Sequence, residues 1–579
     1  MRDTEHRFSP GWPIFAGFAG LLAWAAWRNA GALNADAIAY LRLAGYYAEG
    51  RLDLAVSGYW GPLLSWLIAP LLKLGIPPLA AGRLVMALSA LLFLAGVWAV
   101  LRRFAMAAQE SGRTDDTTPA WAKLGLLIAG AGAVSWSVEY ISPDLLQGGL
   151  WLLGMSGVLD ARWRCEPRRA ALAGAWLGAA YLAKAVALPV SVASVVGLWV
   201  WQSFRHRTAS GAGNEDGEKP GQPAADNDAP GSGAAVAAPW RSWISPALTL
   251  AVMLVIAAPW ILVLSSKYGR FTFSTSAPIA HAVVGPEPAE RSHPFGRMFH
   301  RPAPGRITAW EDPSDMPYRY WSPFESSTAF WHQLAVCREH ARTVLELLRS
   351  FDWLMLGPIA CLYGAVLLAR RGRPALGEWW LVAALPLAAL CAVYLPVYLQ
   401  PVDQRYLYAA WPLLYVLAAG CLAEVARRNK DSTLLRPLLR WLPLASFGLP
   451  AMISLAGALV GYANPAAEAA SVLASRLQRA EITGPVAGSG MLYGGRTGLY
   501  VAYLTGQPWL GDEPRADAER YAASGARLIV VPRRHPVAAI LAASPRFTDL
   551  DARLFTDRAE AEGFPLRVFE RAPADPPTP

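Results

Sequence analysis

The sequence predicts an all-α polytopic membrane protein with a small α/β domain at its C-terminal end. Three observations lead to this fold class. Of the 579 residues, 54% are hydrophobic and only 16% are charged, whereas a soluble domain is usually about a quarter charged. Long apolar runs alternate with short clusters of Arg and Lys. Beyond residue 463 the charge rises and the apolar runs shorten, which is typical of a water-exposed domain.

The apolar runs predict about eleven transmembrane helices, because a helix needs about 20 apolar residues to cross the hydrocarbon core. A segment in lipid must also satisfy its own backbone hydrogen bonds, which favours helices. The predicted helices lie near residues 12–29, 83–101, 121–138, 144–160, 170–184, 186–202, 243–265, 350–369, 377–397, 405–425 and 441–462.

Basic clusters follow every second predicted helix, and they predict the orientation. The clusters lie at residues 102–103, 162–169, 205–207, 370–373 and 427–430. Cytoplasmic loops carry an excess of Lys and Arg. The prediction is therefore a multi-pass inner-membrane protein with a cytoplasmic N-terminus and a periplasmic C-terminal domain. The net charge of +9 is spread over these loops rather than gathered in one patch, which argues against a nucleic-acid partner.

Segment 58–76 is apolar enough to cross the membrane, but a crossing there would reverse every later basic loop. We therefore predict an interfacial helix in the outer leaflet, with Trp60 and Trp66 at the level of the headgroups. The first apolar run follows Arg2 and Arg7 as a signal peptide does. No clear small-residue cleavage site follows it, which favours an uncleaved anchor.

This organisation divides the chain into four parts. They are a transmembrane module at 1–202 with an external loop at 31–82, a disordered cytoplasmic linker at 203–240, a second transmembrane module at 241–462 with an external loop at 266–349, and an external α/β domain at 463–579. In the last part, 526–533 and 565–572 predict strands and 514–524 predicts a helix. The glycine-rich stretch 488–495 lacks the spacing of a nucleotide-binding loop and predicts a turn.

Polar residues with possible chemistry begin in the first external loop. Asp36 lies just beyond the first apolar run, and Tyr40 follows one helical turn later. An amphipathic helix at 37–49 and the interfacial helix would hold Asp36 against the membrane surface, where a lipid-linked reagent presents its head group. The structural alternative is a solvated Asp36 that caps the helix at 37–49.

Several short motifs, taken in their order along the chain, resemble those of the polytopic glycosyltransferases of the GT-C superfamily. The most similar branch is that of the protein O-mannosyltransferases and lipid A aminoarabinose transferases. The motifs are Asp36 to Tyr40, Gly50, Tyr59-Trp60-Gly61-Pro62-Leu63, Arg83, Ser142-Pro143-Asp144, Gly178 to Lys184, and Gln404-Arg405-Tyr406 with Pro412. The resemblance covers roughly residues 10–462. Many relatives carry two adjacent acids in the first loop, whereas Ala37 follows Asp36 here.

The resemblance implies an integral membrane glycosyltransferase that uses a polyprenyl-phosphate sugar on the periplasmic face. A sugar phosphate already has a good leaving group, so transfer needs one general base and positive charge near the phosphate. Asp36 is the predicted base of an inverting reaction, and Asp144 is predicted to orient the acceptor or to help hold a divalent cation. The predicted substrate-binding residues are Tyr40, Tyr59, Trp60, Lys184, Arg405 and Tyr406.

Structural alternatives exist for the charged residues. Lys184 could snorkel to the interface, Arg405 could pair with Asp403 alone, and Asp144 could serve the start of a helix. The loop at 266–349 holds five of the eight histidines, but their spacing matches no standard zinc pattern. The sequence therefore identifies no cofactor, although it is compatible with a divalent cation. In the same loop Glu287, Arg291 and Trp310 are all compatible with contacting an acceptor.

The expected partners are a polyprenyl-phosphate sugar, membrane lipid, and a glycan, lipid or protein acceptor. The alternative function is a transporter or flippase of lipid-linked sugars, which would place its polar residues near the midplane within repeated halves. The chain shows no repeated halves, and its candidate residues gather at one predicted face, which favours an enzyme. A scaffold with a degenerate site is the third hypothesis.

Overall fold

The computed structural model describes residues 12–110, 118–212, 243–371, 378–400, 403–429, 432 and 435–572. The described residues are mostly helical, with one small sheet near the C-terminal end. This arrangement confirms the predicted fold class of a helical membrane protein with an appended α/β region. Residues 213–240 of the predicted linker lie outside the described residues, and the helix before them extends to Ala212 instead of ending at 202.

The helices before the sheet are α1 (Trp12–Arg28), α2 (Ala35–Glu49), α3 (Leu52–Ala55), α4 (Pro62–Lys73), α5 (Pro78–Glu110), α6 (Thr118–Glu139), α7 (Asp144–Val158), α8 (Pro167–Ala183), α9 (Ala187–Ala212), α10 (Ile244–Tyr268), α11 (Ser276–Ala282), α12 (Ser327–Phe351), α13 (Leu356–Arg371), α14 (Ala384–Ala392), α15 (Trp411–Arg428), α16 (Leu435–Pro443), α17 (Leu449–Val460) and α18 (Pro465–Arg479). A 3-10 helix, Gln404–Ala410, leads directly into α15.

Six helical segments of the described chain are long and apolar enough to cross a membrane. They are Pro78–Glu110, Ala120–Glu139, Ala187–Phe204, Ile244–Tyr268, Gln404–Arg428 and Trp441–Arg479. The pair α12 and α13, bent by 117°, passes the same test when taken together. Helices α1, α7 and α8 have only 15 to 17 residues. The count of eleven crossings therefore stays a prediction, although each predicted segment is helical in part.

Helix α4 has 12 residues, which corresponds to about 18 Å and is shorter than the hydrocarbon core of about 30 Å. Segment 58–76 therefore does not cross the membrane as one helix, in keeping with the predicted interfacial role. Helix α2 starts at Ala35, so Asp36 lies within its first turn and Asn34 holds the cap position. The capping alternative for Asp36 is wrong.

Small residues let several helices approach one another closely. A methyl group added to Gly96 of α5 would lie 2.7 Å from the carbonyl oxygen of Gly149 in α7. A methyl group on Gly174 of α8 would lie 2.3 Å from the carbonyl oxygen of Thr249 in α10. Close backbone packing at small residues is a common way for membrane helices to associate. These contacts hold α7 and α8, whose ends carry Asp144 and Lys184, in fixed positions.

The C-terminal region contains β1 (Val486–Gly488), α19 (Thr497–Thr505), β2 (Trp509–Asp512), α20 (Ala518–Ala523), β3 (Leu528–Pro532), α21 (Pro536–Ala542), β4 (Phe547–Asp549), α22 (Asp551–Leu554), α23 (Arg558–Gly563) and β5 (Leu566–Arg571). The strand order is β2-β1-β3-β5-β4, with β1 parallel to β2 and β3, and β5 antiparallel to β3 and β4. The predicted strands at 526–533 and 565–572 correspond to β3 and β5.

The long loop at 266–349 is fastened to the edge of this sheet. Thr308 forms a parallel bridge with Trp509 of β2, and the backbone N–H of His300 donates to the Leu510 carbonyl at 2.6 Å. Gly511 has φ of 114°, and a methyl group there would lie 2.7 Å from the Met298 carbonyl oxygen. Only glycine permits both the backbone conformation and this close approach. The C-terminal domain and the loop therefore form one continuous structure.

A Gly61→Ala variant is expected to be less stable than the wild type. The added methyl would lie 2.2 Å from the Ala183 carbonyl oxygen at the end of α8, and overpacking of this kind costs about 1–3 kcal/mol. Gly45→Ala in α2 is the matched control, because its methyl meets nothing within 4 Å and alanine favours a helix. Thermal unfolding in detergent should show a lower Tm for Gly61→Ala alone; equal Tm values for both variants would contradict the packing argument.

Candidate active site

The eight residues that the sequence analysis selected line one cavity of about 390 Å³. Helix α2 supplies Asp36 and Tyr40 from its first two turns, and the turn before α4 supplies Tyr59 and Trp60. The remaining residues come from the start of α7, the end of α8 and the 3-10 helix before α15: Asp144, Lys184, Arg405 and Tyr406. Residues up to 370 positions apart in sequence thus converge at helix ends.

Arg405 joins two carboxylates in the cavity. Its Nη1 donates to Oδ2 of Asp36 at 2.6 Å, and its Nε donates to Oδ2 of Asp403 at 2.7 Å. The guanidinium carbon also lies 4.8 Å from the centre of the Tyr140 ring. The alternative in which Arg405 pairs with Asp403 alone is therefore wrong. A single guanidinium with five N–H donors can hold both carboxylates and still present donors to a ligand.

Lys184 forms a second charged pair with Asp144. The Lys184 Nζ lies 2.6 Å from Oδ1 of Asp144, and the same ammonium lies 4.6 Å from the centre of the Tyr406 ring. Asp144 is only 3% exposed, so it contacts its partner in a desolvated setting. Lys184 points into the cavity rather than snorkelling outward. One of its three N–H groups is used by Asp144, and the ammonium has two further donors for a ligand in the cavity.

Aromatic side chains form one wall of the cavity, and we call this group the aromatic wall. It consists of Tyr59, Trp60, His293, Phe295 and Trp310. Two pairs of rings pack edge to face, with 4.6 Å between the centres of Tyr59 and Trp60 and 4.7 Å between those of Phe295 and Trp310. The rings of His293 and Phe295 are stacked. The Trp310 indole N–H donates to Oδ1 of Asp36 at 3.2 Å. The wall therefore ends at the carboxylate of Asp36.

His293 lies within this wall as a neutral ring. Burial lowers the pKa of His293 to about 4, while the nearby charge of Asp36 opposes the shift and that of Arg496 adds to it. The Nδ1 of His293 is 2.9 Å from the Tyr318 hydroxyl, and the ring centre lies 4.7 Å from that of Trp310. His293 therefore serves as an aromatic surface that is oriented by its hydrogen bond with Tyr318.

Acidification is expected to destabilise the protein through His293. Because its folded pKa of about 4 lies below the ordinary 6.5, the unfolded chain binds the proton first as the pH falls. Its contribution to stability is complete above pH 6.5 and is lost toward pH 4, by at most about 3 kcal/mol. Thermal unfolding at pH 7.5 and 5 should show a smaller loss of Tm for His293→Gln than for wild type. The same substitution at His300 is the control, and equal losses in all three proteins would contradict the expectation.

The C-terminal domain also reaches this cavity, which the sequence analysis did not foresee. Met491 and Arg496, both from the segment between β1 and α19, line it together with the helix-end residues. The stretch predicted as a turn, 488–495, contains a turn closed by a bridge between Leu492 and Gly495. The sequence carries no periodic signal that links this loop to the first external loop.

Other candidates of the sequence analysis lie elsewhere. Of the three loop residues considered for the acceptor, Trp310 lines the cavity, whereas Glu287 pairs with Arg319 and Arg291 donates to the Gly285 carbonyl. Arg83 is buried and donates to backbone carbonyls, which is a structural role. Within the described ranges, no group of three or more His, Cys, Asp or Glu side chains could hold a metal ion.

No protein-family model matches this sequence, and no curated protein matches it. Several solved structures, in contrast, match this chain. The crystal structure of ArnT from Cupriavidus metallidurans bound to undecaprenyl phosphate superposes with a TM-score of 0.51 at 15% identity, covering 98% of this chain and 99% of that one.

Two further structures are more distant. The archaeal oligosaccharyltransferase AglB from Archaeoglobus fulgidus, in complex with an inhibitory peptide and a dolichol-phosphate, gives a TM-score of 0.43 at 12% identity, covering 90% of this chain and 69% of that one. The arabinofuranosyltransferase AftD from Mycobacteria gives a TM-score of 0.43 at 14% identity, covering 98% of this chain and 40% of that one. The match to ArnT extends over nearly the whole of both chains, so this protein has the ArnT fold, which confirms the fold expected from the GT-C resemblance.

Proposed function

We propose that the protein is an integral membrane glycosyltransferase that moves a sugar from a polyprenyl-phosphate donor to an acceptor hydroxyl. The observation that carries this proposal is the single cavity in which Asp36, two cationic side chains and the aromatic wall meet. The shared fold with ArnT, whose structure holds undecaprenyl phosphate, supports a polyprenyl-phosphate ligand. The basic loops of the sequence support a periplasmic position for the cavity.

Lys184 and Arg405 are the proposed phosphate ligands. Both cations face the cavity while each is held by a buried carboxylate, Asp144 for the lysine and Asp403 for the arginine. Fixed cations of this kind stabilise negative charge as it develops, without reorganising during the reaction. The carboxylates keep the two cations in place before the donor arrives, and the unused N–H groups supply the hydrogen bonds to the phosphate.

Asp36 is the proposed general base. The acceptor hydroxyl attacks the anomeric carbon while the bond between that carbon and the phosphate oxygen breaks. The hydroxyl proton passes to the Asp36 carboxylate, and the electron pair of the broken bond leaves with polyprenyl phosphate. A single displacement inverts the anomeric configuration. Because Arg405 contacts both Asp36 and the proposed phosphate position, it holds the base close to the reacting centre.

The aromatic wall is the proposed surface for the transferred sugar. Tyr59, Trp60 and Trp310 present ring faces and edges beside Asp36. Flat apolar surfaces with a few fixed polar groups orient a ligand at low entropic cost. Asp144 is proposed to act by positioning Lys184.

The test uses the purified full chain in detergent with radiolabelled polyprenyl-phosphate sugars, offered one at a time with an envelope extract. Transfer of label to an acceptor supports the proposal, and the configuration of the new bond reports inversion. If no donor supports transfer and lipid-linked sugar instead crosses the bilayer of proteoliposomes, the protein is a transporter and the proposal is wrong.

A further inference from the structure

The C-terminal domain contributes a third cation to the cavity. Arg496 lies just before α19 and lines the same cavity as Asp36, Lys184 and Arg405. Its side chain is 17% exposed, so the guanidinium is held mostly within protein while it faces the cavity. The proposed transfer reaction, as described above, does not use this residue.

Arg496 is held by a buried acid and an aromatic ring. Its Nη1 donates to Oδ2 of Asp512 at 2.6 Å, and Asp512 is completely buried at the end of β2. The guanidinium carbon lies 4.6 Å from the centre of the Phe295 ring. Burial raises the pKa of Asp512 to about 6, against the opposing charge of Arg496. Burial therefore disfavours the charged form of this carboxylate, and its hydrogen bond holds the guanidinium in place.

The position of Arg496 relative to Asp36 is fixed by the aromatic wall. Arg496 stacks on Phe295, Phe295 packs on Trp310, and the Trp310 indole donates to Asp36. The charges of Asp36 and Arg496 both reach His293, where Asp36 raises the pKa of the ring and Arg496 lowers it. The carboxylate that is proposed to activate the acceptor and this guanidinium therefore flank the same ring surface.

Most of the hydrogen-bonding capacity of Arg496 is unused. A guanidinium has five N–H donors, and within the described chain the Arg496 side chain donates one hydrogen bond, to Asp512. Its planar fork matches the two oxygens of a carboxylate or phosphate. The donor phosphate already has two cations of its own, which come from the ends of α8 and of the segment before α15 rather than from the C-terminal domain.

We propose that Arg496 binds a carboxylate or phosphate group of the acceptor, next to the hydroxyl that receives the sugar. The acceptor is therefore an acidic molecule, and the C-terminal domain is the part of the protein that selects it. This inference rests on the proposed transferase function. Arg496 is a specificity-determining residue in it, whereas Asp512 is a positioning residue.

The experiment measures binding of matched probes to the full chain in detergent by saturation-transfer NMR. The probes are methyl glucoside, methyl glucuronide and methyl glucoside 6-phosphate, with undecaprenyl phosphate measured separately by native mass spectrometry. The wild type should bind the two acidic probes more tightly than the neutral one. Arg496→Gln should weaken the acidic probes about tenfold, the loss expected for one charged hydrogen bond. Its binding of methyl glucoside and undecaprenyl phosphate should be unchanged.

Two further variants control this result. Arg527→Gln removes an arginine of the same domain that pairs with Glu570 at the surface, and it should leave every probe unaffected. In Asp512→Asn the side-chain oxygen can still accept the hydrogen bond that positions Arg496. The variant lacks only the internal counter-charge, so it should bind the acidic probes more tightly, by several-fold. This variant tests the proposal even where Arg496→Gln does not fold.

Several outcomes would overturn the proposal. Weaker binding of undecaprenyl phosphate to Arg496→Gln would assign the residue to the donor. Unchanged binding of all probes to Arg496→Gln, or binding of the acidic probes to Asp512→Asn that equals that of wild type, would make the pair purely structural. Failure of the proposed function is seen separately, because the wild type would then bind no undecaprenyl phosphate whatever its preference among the acidic and neutral probes.

Discussion

Asp36→Asn is expected to lower turnover between about a hundredfold and ten-thousandfold, the range in which a positioned general base acts. Asparagine has the same shape and can still accept the hydrogen bond from Trp310, which reaches Asp36 Oδ1 at 3.2 Å. It has no charge with which to take the acceptor proton. The measurement is transfer of radiolabelled sugar at saturating donor, with undecaprenyl phosphate binding determined for the same preparation.

The matched control is Asp53→Asn. Asp53 lies in the same predicted external loop, is exposed, and lies outside the cavity. It should keep wild-type turnover. Retained turnover in Asp36→Asn, with the donor bound normally, would remove Asp36 from the role of base. Loss of donor binding with normal turnover at saturation would instead assign Asp36 to the positioning of Arg405.

Much of this site is predictable because each selected charged residue lies at the end of an apolar segment. The boundary of an apolar run marks the place where a helix leaves the membrane, so Asp36, Asp144, Lys184 and Arg405 are all expected near a membrane surface. The order of the motifs then suggests that they face one another. What the sequence does not reveal is the pairing, in which Arg405 bridges Asp36 and Asp403.

The residues that were missed come from segments without periodicity. His293 and Phe295 lie in a loop built of short turns, and Arg496 lies in a loop of the C-terminal domain. Their approach to Asp36 depends on the bridge between Thr308 and Trp509, a long-range contact that no local pattern encodes. Trp310 was among three equal loop candidates, and only packing distinguishes it.

The predictability of the fold depends on the same kinds of sequence pattern. Apolar runs locate the helices of the membrane part well, but α12 was not foreseen because its sequence is amphipathic and lies within a loop otherwise rich in turns. Strand β3 is a continuous apolar run, and β5 carries three buried apolar residues among charged ones. In contrast, β2 and β4 have only four and three residues. A strand that short is defined by its neighbours rather than by its own residues.

Arg405→Gln is expected to impair both stability and donor binding. The change leaves Asp36 and Asp403 without their shared partner, and Asp403 is only 3% exposed. Removing one member of a buried ion pair costs about 3–5 kcal/mol. The same variant should lose at least about tenfold in affinity for undecaprenyl phosphate, since it loses a charged ligand of the phosphate.

Arg405→Lys separates charge from geometry. An ammonium keeps the positive charge but cannot bridge two carboxylates and a phosphate as a planar fork does, so Tm and affinity should both lie between those of wild type and Arg405→Gln. Arg319→Gln is the matched control, because the Arg319 side chain is 68% exposed and only loosely paired with Glu287. It should leave both quantities unchanged.

The cause of the instability can be isolated by combining two substitutions. If the unpaired charge of Asp36 destabilises Arg405→Gln, then adding Asp36→Asn to that variant should recover part of the lost Tm, although turnover stays absent. Residues in direct contact show such non-additive effects, whereas independent residues do not. A double variant whose loss of Tm equals the sum of the single losses would mean that the bond between Arg405 and Asp36 contributes nothing to the folded state, and Asp403 would then be the sole anchor of the arginine.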